Sequence, residues 1–386
     1  MHMVRPKEDS DIPWTALLIG LWIPNLFYWG LNQYIVQRTL GSKSLAEGQK
    51  GIVFAAFLKL IIPFVVVIPG ILAFNLFSGD LHKGAQSANK VILDKGGESA
   101  VYEVNSAFVK LEPELTAKIL AANAKAAGGQ PDLPADATAE QVASQINAFA
   151  EKAGKSAGEL KGYDYDAAFP VLVRNLIKPH PLISWFVLAA LCGAVISSLA
   201  SMLNSASTIA TMDLYAKFTG TTSEAKLVSV GRGFVVLFVI LAALVAPQLN
   251  NFSSIFSYIQ EFQGFISPGI LAVFIFGFFS PRTPRWFGMV GILTNVVAYG
   301  AFKWWLGGLL VDNGMWYSDE IAFLDRMAIC FFIVMLMGVL ITILKPMEKP
   351  VLLPVNEQIE LTSSGGAKIL GAVVIILTIA LYAVFW

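Results

Sequence analysis

Charge is scarce in this chain. Only 14% of its 386 residues are charged, against about 25% in an ordinary soluble domain. The 27 basic and 27 acidic side chains cancel, which leaves no electrostatic case for a nucleic-acid partner. There are two cysteines, Cys192 and Cys330, in separate apolar runs, so no structural disulfide is expected. The three histidines, His2, His82 and His180, are far apart and have no Cys or His companion at metal-ligand spacing. No phosphate-cradling glycine loop and no nucleophile elbow occur. The polar N-terminus MHMVRPKEDSDIPW lacks the apolar core of a signal peptide. These absences leave no enzyme reading.

Apolar residues fill the space. They make up 56% of the chain, with mean hydropathy +0.64, the composition of an all-α polytopic membrane protein. About eight transmembrane helices are expected, at Trp14–Val36, Gly51–Phe77, Ile183–Tyr215, Val228–Pro247, Ile255–Phe279, Phe287–Leu310, Ile321–Leu344 and Ile369–Trp386. Residues 1–77 thus hold the first two spans, and residues 169–386 hold six more. Between them, residues 78–168 form a polar, Ala-rich insert with 13 Asp/Glu against nine Lys. Val142, Ile146 and Phe149 recur at helical spacing there, after an N-cap at Asp136 or Thr138. A small, partly helical domain is expected, with a linker near Ala127–Pro134. Arg38, Lys43, Lys50, Lys217, Lys226, Arg282, Arg285, Lys345, Lys349 and Lys368 gather in the loops after the odd-numbered spans. Those loops should be cytoplasmic, which puts the insert and both termini outside a cell (inner) membrane.

The first span is the most informative stretch. It carries Pro24, Asn25, Gly30, Asn32 and Gln33 near its centre, where an unsatisfied amide costs several kcal/mol. Asn25, Tyr28, Trp29 and Asn32 fall at i, i+3, i+4 and i+7 and share one helix face. Two amides and two amphipathic aromatics suit a polar ring. They equally suit helix packing, toward which spacing alone leans. Lys59 lies eight residues past Gly51, deep enough that a cavity explains it better than snorkelling. Ser197, Ser201, Asn204, Thr208 and Thr211 recur at helical spacing, which suits a close helix seam. The adjacent pair Ser197–Ser198 also suits a hard cation that wants oxygen ligands. In the fifth span Gln260, Glu261 and Gln263 precede a break at Gly264 and Ser267-Pro268-Gly269. A polar site at a broken helix and a plain proline kink stay evenly open.

The block FYWGLNQYIVQRTLGSKSLAEGQKGIVFAAFLK, Phe27 to Lys59, resembles the sodium/solute symporter family, most of all its sodium/sugar (glucose/galactose) branch. AVISSLASMLNS, from Ala194, and YIQEFQGFISPGI, from Tyr258, are similar to two further family signatures. The resemblance covers nearly the whole chain outside the insert. It implies a leucine-transporter-like fold of two inverted five-helix repeats, of which this chain holds the second inverted repeat plus the trailing helices. It implies that Asn25, Lys59 and Gln260 hydrogen-bond a hexose, that Tyr28 stacks on the sugar as a gate, and that Trp29 adjoins it. It implies a sodium ion held by the Ala194 carbonyl and the Ser197 and Ser198 hydroxyls. The first repeat, which completes the family's sodium and sugar sites, is absent from the chain, which leaves three expectations open: a gene fragment, a mis-called start, or half of a split transporter whose first repeat joins it in trans in the lipid bilayer. The expected function is therefore the C-terminal part of a sodium-coupled sugar symporter. The rival readings are a symporter-like membrane sensor, a structural subunit, or a symporter for another polyol such as inositol.

Overall fold

A computed structural model describes residues 13–97, 100–134, 136–154, 156–251, 255–317, 321–351 and 360–384. The polar N-terminal segment ahead of Pro13 and the end of the last expected span lie outside them. In chain order the main helices are α1 (Trp14–Leu18), α2 (Trp22–Gly30), α3 (Gln33–Leu40) and α4 (Leu45–Gly96). Strand β1 (Glu103–Val104), α5 (Ser106–Leu111), α6 (Pro113–Ala127), α7 (Ala139–Ala153) and β2 (Glu159–Leu160) follow. Next come α8 (Ala168–Leu172), α9 (Pro181–Ile209), α10 (Ala216–Thr219), α11 (Glu224–Val245), α12 (Ile255–Gly264) and α13 (Ser267–Phe279). The chain closes with α14 (Phe287–Ala301), α15 (Gly307–Asp312), α16 (Phe323–Leu344) and α17 (Gly365–Val384).

Among the described residues, six helical stretches are long and apolar enough to cross a membrane, or seven if the bent pair Trp14–Gly30 and Gln33–Leu40 is one span. This is an all-α polytopic membrane protein, the short β1–β2 pair aside. Two expectations need correction. The first span is not one straight helix: it bends by 50° at Leu31–Asn32, where Asn32 turns extended with φ −74° and ψ 115°. Asn32 therefore leaves the face that Asn25, Tyr28 and Trp29 keep. The sixth expected span, Phe287–Leu310, is helical as α14, a π turn and α15. It carries Thr294, Asn295 and Lys303 and falls outside the count of crossing helices.

The chain divides into two compact units, residues 1–60 with 199–386, and residues 61–198. In the first, α13 lies at the centre of the packing. Its Ser267, Pro268, Gly269, Leu271, Ala272 and Phe276 are buried. Ala272 and Phe276 join Phe287 of α14 and Val334 of α16 in one apolar cluster. Gly338 of α16 makes that approach possible, since a Cβ there would stand 2.4 Å from the Phe276 ring. Small residues at helix contacts are how membrane helices gain dispersion energy where lipid is as apolar as leucine.

The unit of residues 61–198 has a core of its own. α4 passes a non-helical residue at Phe77 and runs on to Gly96, so no loop follows the apolar run. Tyr102, Val104, Phe108, Ile119, Ala143, Ile146 and Leu160 form the cluster beside it. Thr138 caps α7 through a reciprocal capping box with Gln141, and the Gly128–Pro134 stretch separates α6 from α7. β1 pairs with β2 in parallel on one edge. On its other edge asparagine amides replace a strand. Asn123 accepts from the Tyr102 N–H at 3.2 Å and donates to the Tyr102 carbonyl at 2.7 Å. Asn147 does the same for Val104, at 2.8 and 3.1 Å. A buried backbone group needs such a partner, and an amide offers donor and acceptor together.

Leaving buried groups unpaired costs about 1–3 kcal/mol, so Asn123→Ala should lower the melting temperature and speed amide exchange at Tyr102. Asn147→Ala should do so at Val104 instead. Hydrogen exchange by mass spectrometry separates the two; equal exchange at both sites in both variants would refute the pairing.

Candidate functional site

The bend after α2 and the start of α4 build a groove. It has a volume of 760 Å³ and is lined, among others, by Trp29, Arg38, Glu47, Lys59, Val374 and Thr378. One wall is α4, where Glu47, Gly51, Ala55 and Lys59 succeed one another at i+4. Small residues between two charged ones leave a channel along the helix, about 18 Å long at 1.5 Å per residue. Gly51 faces open space, with nothing within 4 Å of a Cβ placed there. The opposite wall is α17.

The groove holds a particular mix of chemistry. Lys59 Nζ stands 4.8 Å from the centre of the Trp29 ring, a cation–π distance. Tyr28 meets Trp29 edge-on at 5.8 Å and accepts a hydrogen bond from the Tyr34 hydroxyl. Arg38 donates to Ser201 Oγ at 2.8 Å. Ammonium and guanidinium donors, the Glu47 carboxylate and an indole face are what a neutral polyhydroxyl ligand needs: donors and an acceptor for its hydroxyls, and an aromatic plane for its C–H face.

The groove thus brings together Trp29 and Lys59, with Tyr28 in contact behind. Asn25 does not line it; its Nδ2 donates to the Leu21 carbonyl at 2.8 Å, and its side chain is exposed. Gln260 is half-buried on α12 and does not line it either. Ala194, Ser197 and Ser198 share one face of α9 and are exposed. α9 is unbroken there, so the Ala194 carbonyl already accepts one helical bond and has one lone pair left.

α12 leads to a second polar cluster. The helix ends at Gly264 and resumes as α13 at Ser267, the break that the Gly and Ser-Pro-Gly residues predict. Free backbone ends inside a bilayer need partners. Asn295 of α14 supplies them, donating to the Phe265 carbonyl at 2.7 Å and the Gly264 carbonyl at 3.3 Å. Ser267 Oγ donates to the Gln263 carbonyl at 2.9 Å. Gly264 lets Tyr299 lie against the break, since a Cβ would sit 2.3 Å from its ring. Beside it, Glu261 binds Arg326 at 2.8 Å and Lys303 at 2.7 Å. Arg326 also donates to the Ile321 carbonyl, and Asp325 accepts from Tyr317 at 2.7 Å and Thr15 at 3.1 Å.

Residues 144–294 match the model of the sodium:solute symporter family. The chain is 38% identical over 292 residues to a sodium/glucose cotransporter of Vibrio parahaemolyticus, covering 75% of this chain and 41% of that protein. It is 31% identical over 302 residues to sodium/myo-inositol cotransporter 2 of Bos taurus, covering 77% of this chain and 35% of that protein. An uncharacterized symporter of Escherichia coli (strain K12) is also 31% identical over 292 residues, covering 75% of this chain and 36% of that protein. Over these lengths the chain is similar to the sodium:solute symporter family. It spans about two fifths of the length of the sodium/glucose cotransporter.

Within this sequence, residue types alone did not point to Arg38, Glu47 or the α17 wall of the groove. The i+4 run Glu47, Gly51, Ala55, Lys59 carried the signal for one wall; nothing local to α17 announces the other. Asn295 was missed because its task, capping a break on another helix, is set by tertiary contact.

Removing one partner from a buried ion pair is strongly destabilising, whereas removing both costs less. Arg326→Gln should therefore lower the melting temperature in detergent. Glu261→Gln, which strips both Arg326 and Lys303 of this partner, should lower it at least as much, and the double variant should lose less than the sum. A coupling of about 0.5–3 kcal/mol is expected for residues in one network. Purely additive losses would show that the two charges are not coupled.

Proposed function

We propose that this chain forms part of a sodium-coupled sugar symporter. The observation that carries the reading is the Trp29–Lys59 groove, an aromatic plane beside hydroxyl-binding groups, in a chain similar to the sodium:solute symporter family. In this reading Lys59 donates to hexose hydroxyls and the Tyr28–Trp29 pair offers the stacking face, Tyr28 acting as the gate. Asn25 and Gln260 contribute further hydrogen bonds when the bent helix α2–α3 and the broken helix α12–α13 rearrange during transport. Sodium is a co-substrate. It is held by the Ala194 carbonyl and the Ser197 and Ser198 hydroxyls, three of the five or six oxygens such a hard cation takes, by analogy with other hard cations. The family's first five-helix repeat is the partner that completes both sites. The membrane is the cell (inner) membrane, with the insert on its outer side. Inositol is the second substrate reading, supported by the similarity to sodium/myo-inositol cotransporter 2.

Uptake of labelled glucose and labelled myo-inositol into cells that lack both activities tests this, with the chain expressed alone and together with the family's first repeat. Sodium-dependent glucose uptake is expected on co-expression. Lys59→Ala and Gln260→Ala should each lower it roughly tenfold, a step of 1.4 kcal/mol. Ser198→Ala should remove its dependence on sodium. Uptake that ignores sodium would refute the coupling, inositol taken up in preference to glucose would replace the substrate, and full uptake by the chain alone would dispose of the partner.

Sidedness has its own test. In a Cys192→Ser background, a membrane-impermeant maleimide applied to intact cells should label Lys125→Cys in the insert and miss Lys43→Cys. The reverse pattern would invert the orientation.

A further inference from the structure

The segment that leads into α9 presents an apolar stripe. Tyr165, Phe169 and Leu176 are 56%, 50% and 49% exposed. They fall at i, i+4 and i+11, one side of a helix, and the chain through them is helical, as a 3₁₀ turn, α8 and a π turn ending at Ile177. Val171 is the side chain that the helix buries. Arg174 and Asn175 donate to the Asp80 carboxylate of α4 at 2.9 and 2.8 Å, and Arg174 stays exposed beside the stripe with Asp166 and Lys178. Large apolar and charged side chains thus share the outward surface, as on a helix that lies in a membrane interface.

The stripe is continuous with the surface that faces lipid. Immediately after it, Leu182, Trp185 and Phe186 of α9 are 87%, 73% and 75% exposed. On α4, Leu72 and Leu76 are exposed just before the helix turns polar. Phe74 joins the two, 5.0 Å from Tyr163 and 5.9 Å from Tyr165. The most apolar windows of both spans have no buried residue, as expected of helices whose solvent is a bilayer. Tyrosine and tryptophan gather where such helices meet the headgroups, with Lys and Arg beside them; here Arg174 flanks the stripe, and Lys178 and His180 follow it.

We propose that Tyr165–Ile177 is an interfacial helix whose apolar stripe is covered by lipid at the headgroup–acyl boundary, anchoring the insert to the bilayer surface. Its depth is about 5–10 Å below the headgroups, that of amphipathic helices lying in the interface plane. The inference rests on the membrane spans alone and stands or falls apart from the sugar reading.

The test is spin-label accessibility on the full chain, in vesicles of phosphatidylethanolamine and phosphatidylglycerol. Labels go at Phe169→Cys and Leu176→Cys, each in a Cys192→Ser background. Lys125→Cys supplies the aqueous reference and Val66→Cys the acyl reference. The ratio of oxygen to nickel-complex collisions at both stripe positions should rise severalfold above Lys125→Cys, toward Val66→Cys. A ratio equal to that of Lys125→Cys would place the stripe in water. A label shielded from both reagents would show that protein, a second copy or another chain, covers it. Either result overturns the proposal, and a single sharp elution peak for each variant in detergent guards against misfolding.

Discussion

A bilayer core supplies no water to a backbone that stops being helical, and that constraint governs this chain. Each interruption inside a span frees N–H and C=O groups worth several kcal/mol apiece if unmet. The α12–α13 break shows how they are met. Asn295 reaches from α14 to two of the carbonyls, and Ser267 takes a third from within. With those partners fixed, α13 must stay against α14, and the glycines that permit the approach become necessary. The ion pairs of Glu261 with Arg326 and Lys303 then stand on elements that cannot drift.

The same logic operates where water is nearby but excluded. In the insert, a two-residue strand has one strand partner and would bury an open edge. Asn123 and Asn147 close it from helices α6 and α7. Asn89 repeats the arrangement at Lys161, accepting from its N–H at 3.0 Å and donating to its carbonyl at 2.8 Å. An asparagine is a portable piece of backbone. Three of them let a small core keep an extended segment without the sheet it would otherwise need.

How much of this was legible depends on whether the cause is local. Apolar runs, the break at Gly264–Ser267, the Thr138 cap and the linker beyond Ala127 are all set by residues within a turn or two, and they read directly from the sequence. The bend at Leu31–Asn32 was half legible: Pro24, Gly30 and Asn32 warned of an irregular helix, but the four-residue face assumed a straight one. The α4 extension beyond Phe77 was not legible, because polar composition signals departure from the membrane and says nothing about whether the helix stops. Of the expected ligands, Trp29 and Lys59 meet because the chain bends at Leu31–Asn32 and, after α3, turns into α4 within a few residues. Asn25 and Gln260 sit on elements whose separation no local pattern encodes.

That difference bears on the site itself. Trp29 and Lys59 lie in one groove, so the indole face and the ammonium are already in position before any ligand arrives. Gln260 lies on α12 ahead of the capped break, and Asn25 and Trp29 both lie on α2 ahead of the Leu31–Asn32 bend. The Phe27 and Asn32 carbonyls keep backbone bonds at that bend, and the break, capped from α14, keeps its own. In the proposed symporter reading, Trp29 and Lys59 would hold the cargo in the groove, while the capped break would let the helix that carries Gln260 pivot without leaving its backbone groups unmet.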